Sequence, residues 1–147
     1  MNKQSMHPGL PFGVKFLSII NGVGFVVTLL FWTAVFIGHA VPYPSEASSV
    51  AEKANSSVTY GFLIGDVIYS LPLLLLATFG VWRLKSWGWM TSQMVNILWM
   101  YSMTVVLTRD FNTTITPGGL VFTPFALVAA WAVPYLWKRR ALFEVGR

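Results

Sequence analysis

Long unbroken apolar runs, rather than any alternation with a period of two or 3.6, organise this chain. Four such stretches stand out: residues 16–38, 58–82, 87–108 and 119–137. Each has the roughly 20 residues that a helix needs to cross about 30 Å of hydrocarbon. Because lipid offers the backbone no hydrogen-bond partners, a spanning segment of this kind must be helical. The pattern predicts an all-α integral membrane protein, a single domain over residues 1–147, folded as a four-transmembrane-helix antiparallel bundle. The first stretch is longer than the apolar core of a signal peptide and polar at its far end, so it reads as a retained helix although His39-Ala40-Val41-Pro42 imitates a cleavage site. The link Arg83–Ser86 is short enough to force the second and third helices into an antiparallel hairpin.

Composition agrees with this pattern. Only 10% of residues are charged while 55% are hydrophobic and 16% aromatic, a balance with which a water-soluble domain of this size could not cover its surface. The ten basic residues then set an orientation. Lys3, Lys15, Arg83, Lys85, Lys138, Arg139, Arg140 and Arg147 fall on one side of the four segments, and only Lys53 and Arg109 on the other. Both termini are therefore expected in the cytoplasm, with the multi-pass chain in a cell membrane of the prokaryotic inner-membrane kind. On this reading the net charge of +5 is a topology signal and an attraction to anionic lipid, not a nucleic-acid footprint. Trp82, Trp87, Trp89 and Trp137 share the basic boundary, where an indole keeps its ring apolar and its N–H wet. Of the two remaining loops, residues 41–57 read as an extended or partly helical surface segment and residues 109–118 as a turn whose hydroxyls cap the next helix. Asn55-Ser56-Ser57 and Asn112-Thr113-Thr114 match the glycosylation acceptor pattern and carry weight only in a source that glycosylates.

Against this apolar background one residue stands apart. Asp66 is the only formally charged side chain inside the four segments, and a carboxylate in lipid costs several kcal/mol unless it is paired, hydrated or protonated. It lies about 12 Å inside the end of the second helix. At equal depth the other helices bring Trp32 and Thr33, then Tyr101 and Ser102, while Tyr69 and Ser70 follow on its own helix. Asn96 and Trp99 share a polar face of the third helix with Ser92 and Met103. Together these make a candidate intramembrane polar site of Asp66, Tyr69, Ser70, Trp32, Thr33, Asn96, Trp99, Tyr101 and Ser102. Gly61 and Gly65, with Ser57, form a small-xxx-small run, and Gly22 and Gly24 flank Asn21; both sets are expected at close helix contacts, turning Asp66 toward protein. Pro72 cannot donate to the carbonyl of Ile68, so a kink is expected just beyond Asp66.

The same sequence excludes a good deal. With no cysteine the chain cannot pass electrons through thiol pairs, and His7 and His39 fall at opposite ends of the first helix, where they cannot share a haem. No residue cluster has metal-ligand spacing, so no cofactor is expected beyond bound lipid. Small multidrug transporters also combine four helices with one intramembrane acid, but theirs lies in the first helix, and the charge bias here argues against a dual-topology dimer. The leading expectation is a non-catalytic accessory or assembly subunit, its partners being membrane lipids and either other membrane subunits or further copies of itself. The alternative is a lipid- or quinone-like hydrophobic-ligand binder or enzyme, or a proton-coupled small transporter, built on Asp66. A lone carboxylate with no second ionisable group at its depth favours binding over catalysis.

Overall fold

The computed structural model describes residues 10–144, all of whose regular structure is helical. Lys3, His7 and Arg147, which entered the charge and haem arguments, lie outside the described residues. The helices are α1 (Phe12–Phe36), α2 (Val50–Gly65), a π-helical turn (Asp66–Ser70), α3 (Leu71–Trp82), α4 (Ser86–Asn112), α5 (Pro117–Lys138) and the short α6 (Ala141–Glu144). Three segments, Phe12–Phe36, Val50–Trp82 and Pro117–Lys138, are long and apolar enough to cross a membrane, which marks the chain as a membrane protein. The 27-residue α4 has the length but is more polar and falls outside that set.

Helix starts follow local chemistry rather than the apolar boundaries. The second helix begins at Val50, eight residues before its apolar run, because Ser49 caps it by accepting from Glu52 N at 3.1 Å. The Glu52 carboxylate reaches back to Ser48 N at 2.7 Å and Ser48 Oγ at 2.6 Å, in the manner of a capping box. Half of the expected 41–57 loop is therefore helix, and Asn55 of the first sequon sits inside it. The 109–118 turn shrinks likewise, since α4 runs on to Asn112 and α5 starts at Pro117 behind the cap residue Thr116.

Packing runs from α1 to α3, from α3 to α4 and from α4 to α5, with a lighter contact closing α5 onto α1. At the end that holds both described termini, Val14, Leu17, Val81, Ala132, Leu136 and Phe143 form one buried cluster, so α6 folds its Phe143 back under the helices. Leu74, Ala77 and Val95 form a second cluster nearer the middle. The tightest approach is between α3 and α4, where a Cβ on Gly80 or Gly88 would overlap the backbone of the other. Neither glycine stood out in the apolar pattern. Gly22 and Gly24 lie 3.4 Å, measured from an added Cβ, from Thr78 and from Leu74 and Phe125 respectively. Gly61 and Gly65 do not bring α2 against another helix of this chain: nothing lies within 4 Å of an added Cβ at either. The α2 segment makes its principal backbone contacts with the π turn that follows it and only sparse ones with the other helices, among them Arg109 Nη1 donating to Asn55 Oδ1 at 3.5 Å.

Several hydroxyls in the helices are hidden locally, while the buried Thr28 Oγ1 has no partner among the described residues. Thr33, Thr78, Thr104 and Thr108 each donate to the carbonyl four residues earlier, at 2.7 to 2.8 Å, which removes the cost of a free hydroxyl in apolar surroundings. Polar links between helices include Ser18 Oγ donating to Thr78 O at 2.6 Å, Trp89 Nε1 to Leu136 O at 3.0 Å, Gln93 Nε2 to Val133 O at 3.1 Å and Asn21 Nδ2 to Ser92 Oγ at 3.4 Å.

Candidate functional site

Asp66 opens the irregular part of the second long helix. Leu71 N–H reaches back five residues to Asp66 O, so the turn before Pro72 is wider than an α turn. The physical reason lies in Pro72: its ring crowds the carbonyl four residues earlier and it has no N–H to donate, and widening the preceding turn relieves the crowding. The expected kink thus takes the form of a π bulge, and Asp66 is its first residue.

That geometry brings three of the expected site residues together. Trp32 Nε1 on α1 donates to Asp66 Oδ2 at 2.8 Å, and Ser70 Oγ, one turn along the same chain, donates to Oδ1 at 2.6 Å. Each carboxylate oxygen holds one donor, leaving about two of its roughly four acceptor directions free. Trp32 is itself buried, so the indole is a fixed donor.

Asp66, Trp32 and Ser70 lie on the wall of a cavity of about 230 Å³ at the end of the helices away from the described termini. Its other walls come from α4, with Val95, Trp99, Ser102 and Met103, from α2 with Phe62, and from α1 and α5 with Phe31 and Phe122. The aromatic rings form a connected wall. Phe31 meets Trp32 edge-on at 5.0 Å between centroids and Phe122 at 4.9 Å, and Phe122 lies 5.4 Å from Trp99. A shallower groove lies on the other side of α2, lined by Gly61, Gly65, Tyr69 and Tyr101, and it shares Phe62, Asp66, Ser70 and Ser102 with the cavity.

The remaining expected residues divide by direction. Trp99 and Ser102 line the cavity. Tyr69 and Tyr101 do not enter it; they are 60% and 65% exposed and stand over the outer groove. Thr33 points outward and spends its hydroxyl on Leu29 O. Asn96 is buried away from the cavity, and its Nδ2 has no partner within the described residues. Equal depth on a helix says nothing of azimuth, and half of the residues at the right height face the wrong way.

At the cavity rim is a cluster that the apolar pattern did not single out. Asp110, beyond the apolar part of α4, accepts from Arg109 Nη2 at 2.9 Å and Nε at 3.1 Å, and from both the N–H and the hydroxyl of Thr116 at 2.9 Å. Thr116 Oγ1 in turn accepts from Arg109 Nη2 at 2.9 Å and from Gly119 N at 3.2 Å. A side chain at Gly119 would collide with Asp110 Oδ2, which explains the glycine there. The Thr-Pro-Gly-Gly run at residues 116–119 was the available signal, since a Thr N-cap followed by Pro is a helix start.

Desolvation pushes the Asp110 carboxyl up, but the hydrogen bonds from Thr116 and Arg109 together outweigh it and hold the group below the usual carboxylate range. A depressed pKa means that the carboxylate stabilises the fold above the ordinary value of about 4 and that this contribution is lost as pH falls through that value toward the folded one. Acidification from pH 6 to 3 should therefore lower the melting temperature, and Asp110→Asn should show a smaller acid-induced drop. Removing the acceptor with Asp110→Ala should cost about 2 kcal/mol at neutral pH, below the usual toll for splitting a buried pair, because Arg109 is 28% exposed and regains water. Thermal denaturation in detergent across that pH range checks both; identical acid sensitivity in wild type and Asp110→Asn would remove the assignment.

No protein-family model matches the chain, and no curated protein or solved structure shows a significant match to it.

Proposed function

We propose that this protein is a multi-pass membrane protein, with four spans in an antiparallel bundle and both termini on the cytoplasmic face, that binds a hydrophobic small molecule in the cavity beside Asp66. The supporting observation is the cavity itself: about 230 Å³ lined by a connected aromatic wall, with one carboxylate held in place by Trp32 and Ser70. Mostly apolar walls around a few convergent polar groups are the usual make-up of a small-molecule site. Among the described residues no second ionisable side chain hydrogen-bonds to Asp66, which supports binding rather than catalysis.

A second reading, that of an accessory subunit in a larger membrane assembly, is favoured by a different observation. The α2 segment makes only sparse backbone contacts with the other helices, and Gly61 and Gly65 present an open small-residue face of the kind on which another helix packs closely. Native mass spectrometry of protein extracted gently from its own membrane separates the two. A single-chain or homomeric mass carrying a defined small molecule supports the cavity reading; a mass containing a different chain, with no small molecule, supports the subunit reading and overturns the first.

A further inference from the structure

We propose that the ligand of this cavity is a lipophilic organic cation, of the ammonium or phosphonium kind, whose charge sits against Asp66. The inference rests on the cavity reading above and names the ligand's class. Three observations carry it.

The first is an uncompensated carboxylate. Asp66 receives two neutral donors, the Trp32 indole and the Ser70 hydroxyl, and among the described residues no Lys, Arg or His pairs with it. The second concerns the other charge on the lining. Arg109 is the one basic residue of the cavity wall, and its guanidinium is turned onto Asp110, which takes both Nε and Nη2, with a third bond to Thr116. The pair cancels at the rim, which leaves Asp66 as the one acid of the cavity wall with no basic partner among the described residues. An anionic ligand would meet that carboxylate unshielded, and a neutral donor would fill its free acceptor directions without balancing its charge.

The third observation is the wall. Phe31, Trp32, Trp99 and Phe122 present a contiguous set of rings around the chamber, and Phe62 adds another from α2. The negative faces of aromatic rings attract a diffuse cation, most strongly for tryptophan, while their apolar area holds its organic substituents. A small, strongly hydrated inorganic ion gains nothing from such walls and would leave most of its shell behind. A cation carrying its own apolar groups gains on both counts.

The test uses the full-length protein in lipid nanodiscs and two probes of equal shape, benzyltrimethylammonium and its uncharged carbon analogue neopentylbenzene. Saturation-transfer NMR is the readout, with empty nanodiscs subtracting partition into lipid. The expected result is binding of the cation at least about tenfold tighter than the neutral analogue, and a loss of about tenfold or more for the cation in Asp66→Asn with little change for the analogue. Equal binding of both probes to the wild type overturns the cationic class and leaves the apolar cavity standing. Failure of both probes to bind overturns the cationic class and the cavity reading together. Because the wild-type comparison needs no variant, it decides the matter even where Asp66→Asn does not fold.

Discussion

Gly88→Leu is expected to prevent α3 and α4 from docking and to leave little folded protein in detergent. An added Cβ at Gly88 overlaps the backbone of Gly80, and the backbone of an opposing helix cannot move aside as a flexible side chain would. Overpacking a well-filled interface costs about 1–3 kcal/mol even when side chains can give way, so about 3 kcal/mol or more is expected here. The hairpin cannot absorb it by sliding, because the link of Arg83–Lys85 is short and Lys85 N is tied to Gly80 O at 2.9 Å. Gly65→Leu is the matched control. It adds the same bulk in a helix of the same chain, but an added Cβ there has nothing within 4 Å, so its melting temperature should stay within a degree or two of wild type. Size-exclusion profiles and thermal aggregation of the two variants, purified in parallel, check the contrast. Equal stability of Gly88→Leu and Gly65→Leu would mean that the two helices do not meet at Gly80 and Gly88.

Ser102→Trp should abolish ligand binding while leaving the fold in place. Ser102 lies on α4 between the cavity and the outer groove and is only partly buried, so an indole there has open volume on either side rather than a packed neighbour to displace. Filling the chamber removes the space in which an apolar ligand escapes lipid contact, and a loss of at least about 100-fold in affinity, roughly 2.7 kcal/mol, is expected. Ser102→Ala removes the hydroxyl without adding volume and should bind nearly as wild type. Comparing the adduct occupancy of the three proteins by native mass spectrometry separates blocked volume from lost chemistry. Full occupancy in Ser102→Trp would place the ligand elsewhere.

The two variants act on features that differ in how far they can be read along the chain. Membrane residence, helical structure, the adjacency of α3 and α4 and the singular standing of Asp66 are all properties of the sequence, because they follow from local quantities. Twenty apolar residues must be helical in lipid whatever their neighbours. A three-residue link must join antiparallel helices, and one carboxylate in an apolar run is conspicuous whatever it touches.

Azimuth and contact belong to the tertiary structure alone. Depth along the helices suggested Trp32, Thr33, Tyr101 and Ser102 equally as companions of Asp66; rotation about each axis put Trp32 on the carboxylate and Ser102 on the cavity wall and turned Thr33 and Tyr101 away. Depth alone does not distinguish them, because each 100° step between residues is set by packing and, near Asp66, by the wider π turn. The same holds for the glycines. Gly61 and Gly65 match a contact motif and face open space, while Gly80, which matches none, meets Gly88 of the Gly88-xxx-Ser92 pair backbone to backbone, since a small residue permits a contact and only a second surface makes one.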